Sequence, residues 1–237
     1  MRDFITIGID VGQKVDPTAI VVAEAELLDK VAHYRIPFLQ RLPLNTPYDQ
    51  VAVRLAAIIK GVVEHVQEDF YDPRGSPKVE RDLTHMAAQD VAELQAKAQR
   101  RAAGRVWVLV DATEVGAAVT DVLRTQTGTI PLIGVTFLHG NKCNVSGDLQ
   151  QREATLGKAY LVARLQVLLQ SGRLELPDNP ESAALVKELQ NYEIRIDDEA
   201  VDTYGAFKVG THDDLVTALG LACLKEPEFG WSRGAST

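Results

Sequence analysis

Residues 105–113, RVWVLVDAT, hold an almost unbroken apolar run that ends on an aspartate. A strand with one wet face alternates apolar and polar residues. A run without alternation needs cover on both faces, as a central parallel strand has in an α/β sheet. The helical pattern VGAAVTDVLRTQ (115–126) and the strand pattern IPLIGVTFL (130–138) follow at once. Strand, helix and strand in that order imply parallel strands with a right-handed crossover.

The N-terminal part has a different rhythm. FITIGID (4–10), TAIVVAEAEL (18–27) and VAHYRIPFLQRL (31–42) read as three strands, the first two separated by the turn VGQKVDPT. Short connections between successive strands predict an antiparallel meander. From Tyr48 to Gln67 the apolar residues Val51, Leu55, Ile58, Ile59, Val62, Val63 and Val66 recur three or four apart, the period of an amphipathic helix. Residues 68–82 form a polar break with two prolines, and 83–101 are rich in charge and helix formers. The stretch 69–103 therefore reads as a helical insertion.

Beyond the central unit, 139–152 is polar and reads as a loop. Residues 155–171 read as a long helix closed by Gly172, and 181–192 as another after Asn179-Pro180. Residues 192–209 read as a hairpin around DDEAVD, and 211–225 as a last helix with Thr211 as N-cap. The fold class is α/β: a mixed sheet, antiparallel meander plus parallel strands, flanked by helices. One domain is expected over 1–226, with a flexible tail over 227–237.

Composition narrows the function. At 237 residues and 46% hydrophobic content the chain can bury one complete core. No apolar run reaches the length of a membrane span, and the N-terminus lacks a signal-peptide layout, so no membrane partner is expected. The two cysteines, Cys143 and Cys223, have no metal-ligand spacing, which fits a reducing intracellular compartment. Acidic residues outnumber basic ones 33 to 25, a net charge of −8. Such a balance opposes tight autonomous binding to duplex DNA. It is compatible with an enzyme that is handed its DNA by a partner.

Three acidic positions stand where chemistry usually stands. Asp10 ends the first strand, Asp111 ends the central strand, and Asp213 and Asp214 open the last helix. If the first and central strands are neighbours, Asp10 and Asp111 meet, and the last helix closes the cluster. Carboxylates this close repel one another unless cations lie between them. Hard oxygen ligands suit magnesium or manganese, and two such ions roughly 4 Å apart can clamp the attacking and leaving oxygens of a phosphodiester. Singly, each aspartate has a plainer reading as a turn former, a cap or a partner of the helix dipole.

These residues resemble a known family. GIDVGQKVDPTAIVV and VLVDATEVGAAVTDVL are similar to the first two nuclease motifs of bacteriophage terminase large subunits. KAYLVARLQVLLQSGRLELP and ALVKELQNY resemble the linking helices, and YGAFKVGTHDDLVTALGLA the closing His-Asp-Asp motif. The resemblance spans residues 5 to 224 with a gap near 69–103. It implies a ribonuclease H-like fold and an endonuclease that uses two divalent ions, magnesium or manganese, to cut double-stranded concatemeric DNA during packaging. Asp10 would bridge both ions, Asp111 would hold one and Asp214 the other, with Asp213 an alternative or additional ligand. His212 would orient a carboxylate or a water, or else cap a helix. Asp16 would support the site or simply make its turn. Lys158, Lys142 and Arg152 would meet DNA phosphates or be ordinary solvated residues. The chain departs from the family at Glu114, where Gly is frequent, and at Thr217, where a further acid is frequent. Glu114 would be an extra carboxylate near the metals or an exposed helix-start residue. No GxxxxGK[ST] phosphate loop occurs. The resemblance is thus to the nuclease domain, and it implies a packaging ATPase domain or subunit, a small terminase subunit and a portal as partners, in the host cytoplasm.

Rival readings keep the same residues. A Holliday-junction resolvase of the RuvC type shares the fold and the acidic logic. An actin- or sugar-kinase-like ATPase also begins with strand, Asp and Gly, but normally repeats that domain. A non-catalytic adaptor would have no need for the full aspartate set.

Overall fold

β1 (Phe4–Asp10), β2 (Ala19–Leu28) and β3 (Val31–Arg41) form the expected antiparallel meander. The Asp29–Lys30 turn between β2 and β3 has both residues at positive φ, the conformation that a tight two-residue hairpin requires. The computed structural model describes residues 3–12, 16–70, 102–113, 115–138, 143–146, 152–196, 202–205 and 213–224, with isolated positions between 89 and 100. Most of the expected 69–103 insertion and all of the 227–237 tail lie outside the described residues.

After the meander come α1 (Tyr48–Phe70), β4 (Val106–Asp111), α2 (Val115–Thr127) and β5 (Leu132–Leu138). β4 runs parallel to both β1 and β5. The next segment corrects the sequence reading. β6 (Cys143–Ser146) lies inside the stretch read as a loop, and β7 (Arg152–Gly157) replaces the expected first turn of the long helix. Arg152, Ala154 and Leu156 are buried in alternation, a period of two that only a strand satisfies, and β7 pairs in parallel with β5.

The long helix begins at Lys158 as α3 (Lys158–Gln170), followed by β8 (Leu174–Glu175) and α4 (Pro180–Asn191). Asn179 caps α4 by accepting from Ser182 N at 2.8 Å. β9 (Glu193–Ile196) and β10 (Asp202–Gly205) form the expected hairpin as a separate two-stranded sheet. α5 (Asp214–Ala222) starts later than expected, with Asp213 rather than Thr211 at its N-cap. Among the described residues the main sheet has eight strands in the order β6-β7-β5-β4-β1-β2-β3-β8.

Two cores sandwich this sheet. Ile5, Ile7 and Ile9 of β1 and Val106, Val108 and Val110 of β4 pack on α1 and α2. Phe4, Trp107 and Leu109 face α3, α4 and α5. The unbroken run in β4 is explained by this double cover. α5 is buried along its whole length, which accounts for a helix that is apolar all round. Among the described residues no helix is long and apolar enough to cross a membrane.

Candidate metal centre

Strand alternation puts Asp10 on the same face of β1 as Phe4, Thr6 and Gly8, opposite Ile5, Ile7 and Ile9. On β4 the same rule puts Asp111 with Trp107 and Leu109. Ile9 is paired with Val110, so Asp10 and Asp111 follow as neighbours at the C-terminal ends of two parallel strands. Both are partly exposed, and both lie on the face that α5 covers.

Gly8 lets α5 come that close. A Cβ at Gly8 would overlap the carbonyl of Ala218 and the amide nitrogen of Ala222, so the helix backbone rests directly on β1. The N-terminus of α5 then brings Asp213 and Asp214 toward the strand ends. Asp214 is only 4% exposed. Thr217, one turn on, is buried as well, and its amide donates to the Asp213 carbonyl at 2.9 Å.

Electrostatics tie the four aspartates together. The carboxyl of Asp10 is pushed well above its ordinary value, first by burial, then by the charges of Asp111, Asp214 and Asp213, with Lys158 opposing them. Asp111 is raised by burial, while hydrogen bonds from Thr113 and the charge of Lys158 pull the other way. Lys158, the first residue of α3, has its Nζ 3.9 Å from Asp213 Oδ2 and 5.6 Å from the centre of the Phe137 ring. Among the described residues, the Lys158 ammonium thus offsets part of the negative charge of the aspartates. Among the described residues no three His, Cys, Asp or Glu side chains stand close enough to enclose an ion as they are. The two observations agree, because charges act over longer distances than the 2.0–2.6 Å of coordination.

Of the other residues singled out from the sequence, Asp16 is exposed and lines a cleft with Gly12, Pro43 and Tyr48. Arg152 lies in β7 rather than in a loop, buried, with its guanidinium 5.5 Å from the Trp107 ring centre. Glu114, Lys142 and His212 lie outside the described residues.

Two residues near the site were not singled out. Thr113 donates its amide to Asp111 Oδ1 at 2.8 Å, the local turn that an Asp-x-Thr spacing invites. Glu188 is a buried carboxylate on α4 whose Oε2 accepts from the amides of Leu215 and Val216 at 2.9 and 3.2 Å. Its pKa is raised to about 7 by burial and by Asp214, against the pull of those amides and Arg41. Its signal in the sequence is its place on the same helix face as Ser182 and Leu185, all three buried.

No protein-family model matches the chain, and no curated protein is similar to it in sequence. Solved structures are similar in fold. The large terminase nuclease from thermophilic phage G20c matches at 19% identity, over 94% of this chain and 81% of that one, with TM-scores of 0.54 for its cobalt-bound and 0.55 for its magnesium-bound structure. The large terminase nuclease domain of Thermus phage P74-26 matches at 18% identity, over 92% of this chain and 77% of that one, with a TM-score of 0.51. The chain has the fold of large terminase nuclease domains, a ribonuclease H-like mixed sheet flanked by helices.

Proposed function

We propose that the chain is a divalent-metal-dependent endodeoxyribonuclease that cuts double-stranded concatemeric viral DNA during genome packaging. The observation that carries this reading is the electrostatic gathering of Asp111, Asp213 and Asp214 round Asp10, where strand ends and a helix start meet. Nothing in the packing of the sheet needs four carboxylates there, and their mutual repulsion is relieved by cations. The donors are all hard oxygens, the set that suits magnesium or manganese. The fold likeness to a phage nuclease solved with magnesium and with cobalt supports the same choice.

Asp10 and Asp111 would hold the ions from the strand side, and Asp214, with Asp213 alternative or additional, from the helix side. Bound divalent ions supply an activated water and a clamp on the charge that develops on the phosphodiester oxygens. The chain's own contribution is placement. The parallel pairing of β1 and β4 fixes two carboxylates, and the seat of α5 on Gly8 fixes the others. Lys158 balances part of the negative charge, and its ammonium can also meet a DNA phosphate. With a net charge of −8, affinity for DNA would come largely from a packaging ATPase that holds the duplex, with a small terminase subunit and a portal completing the assembly.

The test is cleavage of supercoiled plasmid with manganese, magnesium or EDTA, for wild type beside Asp10→Asn. Metal-dependent nicking and linearisation that vanish in EDTA and in the variant are expected. Undiminished cleavage by Asp10→Asn would refute the site.

A further inference from the structure

Asp213 stands at the N-cap of α5, yet its side chain makes no capping hydrogen bond. A helix start leaves four N–H groups without intrahelical partners. Because α5 is buried, water cannot serve them all. Glu188 supplies the acceptor from another helix, taking the amides of Leu215 and Val216 on Oε2. Its other oxygen accepts from Arg41 Nη1 at 3.3 Å, and Arg41 Nε in turn donates to Glu181 Oε2 at 3.2 Å. The chain of contacts runs from β3 through α4 to the first turn of α5. Glu188 is 6% exposed, so the cap itself is made in the core.

An aspartate at an N-cap ordinarily spends its carboxylate on the N2 or N3 amide. Here that work falls to Glu188, whose carboxyl also faces the positive end of the helix dipole. The carboxylate of Asp213 is not spent on the cap: Lys158 lies beside it, and both Asp213 and Asp214 act on Asp10.

We propose that Glu188 is a positioning residue for the metal centre: it caps α5 from outside, fixes the start of that helix, and so sets where Asp213 and Asp214 stand relative to Asp10 and to a divalent cation held there. The inference rests on the metal reading of the site. A residue that merely fills the core would affect folding stability and leave the metal affinity of the folded protein unchanged.

The experiment is calorimetric titration of the full chain with manganese, together with hydrogen exchange of the Leu215 and Val216 amides. It compares wild type, Glu188→Ala, Glu188→Gln and Asp10→Asn. Wild type should bind manganese, and Asp10→Asn should lose most of that binding. Glu188→Ala should bind roughly 10–100-fold more weakly, the usual cost of removing a partner that orients metal ligands, with faster exchange at both amides. Glu188→Gln keeps an acceptor of the same shape and should fall between the two; if the Ala variant does not fold, Gln alone decides. Wild-type binding with unchanged affinity in the folded Glu188 variants overturns the role of Glu188 and leaves the metal centre standing. No binding by wild type overturns the metal centre, and the role of Glu188 with it.

Discussion

Lys158 Nζ and Asp213 Oδ2 stand 3.9 Å apart, joining the N-termini of α3 and α5. The same ammonium lowers the pKa of Asp10 and of Asp111 against the burial that raises them. Lysine thus keeps these acids closer to their ionised form, the one a divalent cation would require.

Removing that charge has a definite sign. In Lys158→Ala, Asp10 and Asp111 rise further, protons compete better with the metal, and the acid limb of metal-dependent cleavage moves to higher pH. Activity on that limb should fall on the order of tenfold for each pH unit of displacement. Lys158→Arg keeps the charge and should leave the limb near its wild-type position. A pH–rate profile unmoved by the Ala change would exclude this electrostatic role.

Metal-free stability should depend on pH through Glu188. Its folded pKa of about 7 lies above the ordinary 4.5, so the protonated form is favoured by folding. That contribution is fully present below about pH 4.5 and is lost as pH rises through about 7. The loss is on the order of 3 kcal/mol by the usual conversion of 1.36 kcal/mol per unit. The raised acids Asp10 and Asp111 act in the same direction. Melting in EDTA between pH 5 and 8 should show a falling temperature, shallower in Glu188→Gln. Added manganese should raise the melting temperature more at pH 8 than at pH 5.

Much of this could be read from the sequence, and the misses have physical causes. The meander, the central strand and the α1 stripe carry strong periodicities. So do the strand ends that placed Asp10 beside Asp111. β7 was hidden because Arg152 begins it: an arginine beside a polar stretch reads as loop, yet this one is buried with its guanidinium over Trp107. Thr155 and Leu156 then run without a break into the helical pattern of α3. Glu188 was hidden for a similar reason. A glutamate among helix formers reads as a solvated face, and its partners Leu215 and Val216 lie 27 and 28 residues away. No local pattern encodes a cap supplied at that range.

Glycine substitutions test how α5 is seated. Gly8→Ala sets a methyl against the backbone of Ala218 and Ala222, and backbone cannot yield as a flexible side chain can. A loss of about 3 kcal/mol, the upper range for overpacked cores, is expected, or a fall of roughly 10 °C in Tm for a chain of this size. Gly61 is the control. It lies within α1 with nothing near the site of a Cβ, and Gly61→Ala should stabilise by about 0.4–1 kcal/mol. Equal melting temperatures for the two variants would contradict the close seat of α5 on β1.

Asp10→Asn separates function from stability. It removes a charge that is largely shielded from water and crowded by three like charges. Without metal the variant should melt above wild type, while cleavage should drop at least about 100-fold, since even groups that only orient ligands cost roughly 10–100-fold. Melting in EDTA beside plasmid cleavage in manganese reads both effects on the same preparation. A variant that is less stable and still active would reverse both expectations.

The most direct measurement is anomalous diffraction from a crystal of the full chain soaked in manganese. Anomalous density within coordination distance of Asp10, with Asp111 and Asp214 among its ligands and absent in an Asp10→Asn crystal, is the expected result. Density that leaves these aspartates untouched, or none at saturating manganese, would contradict the assignment of the metal centre.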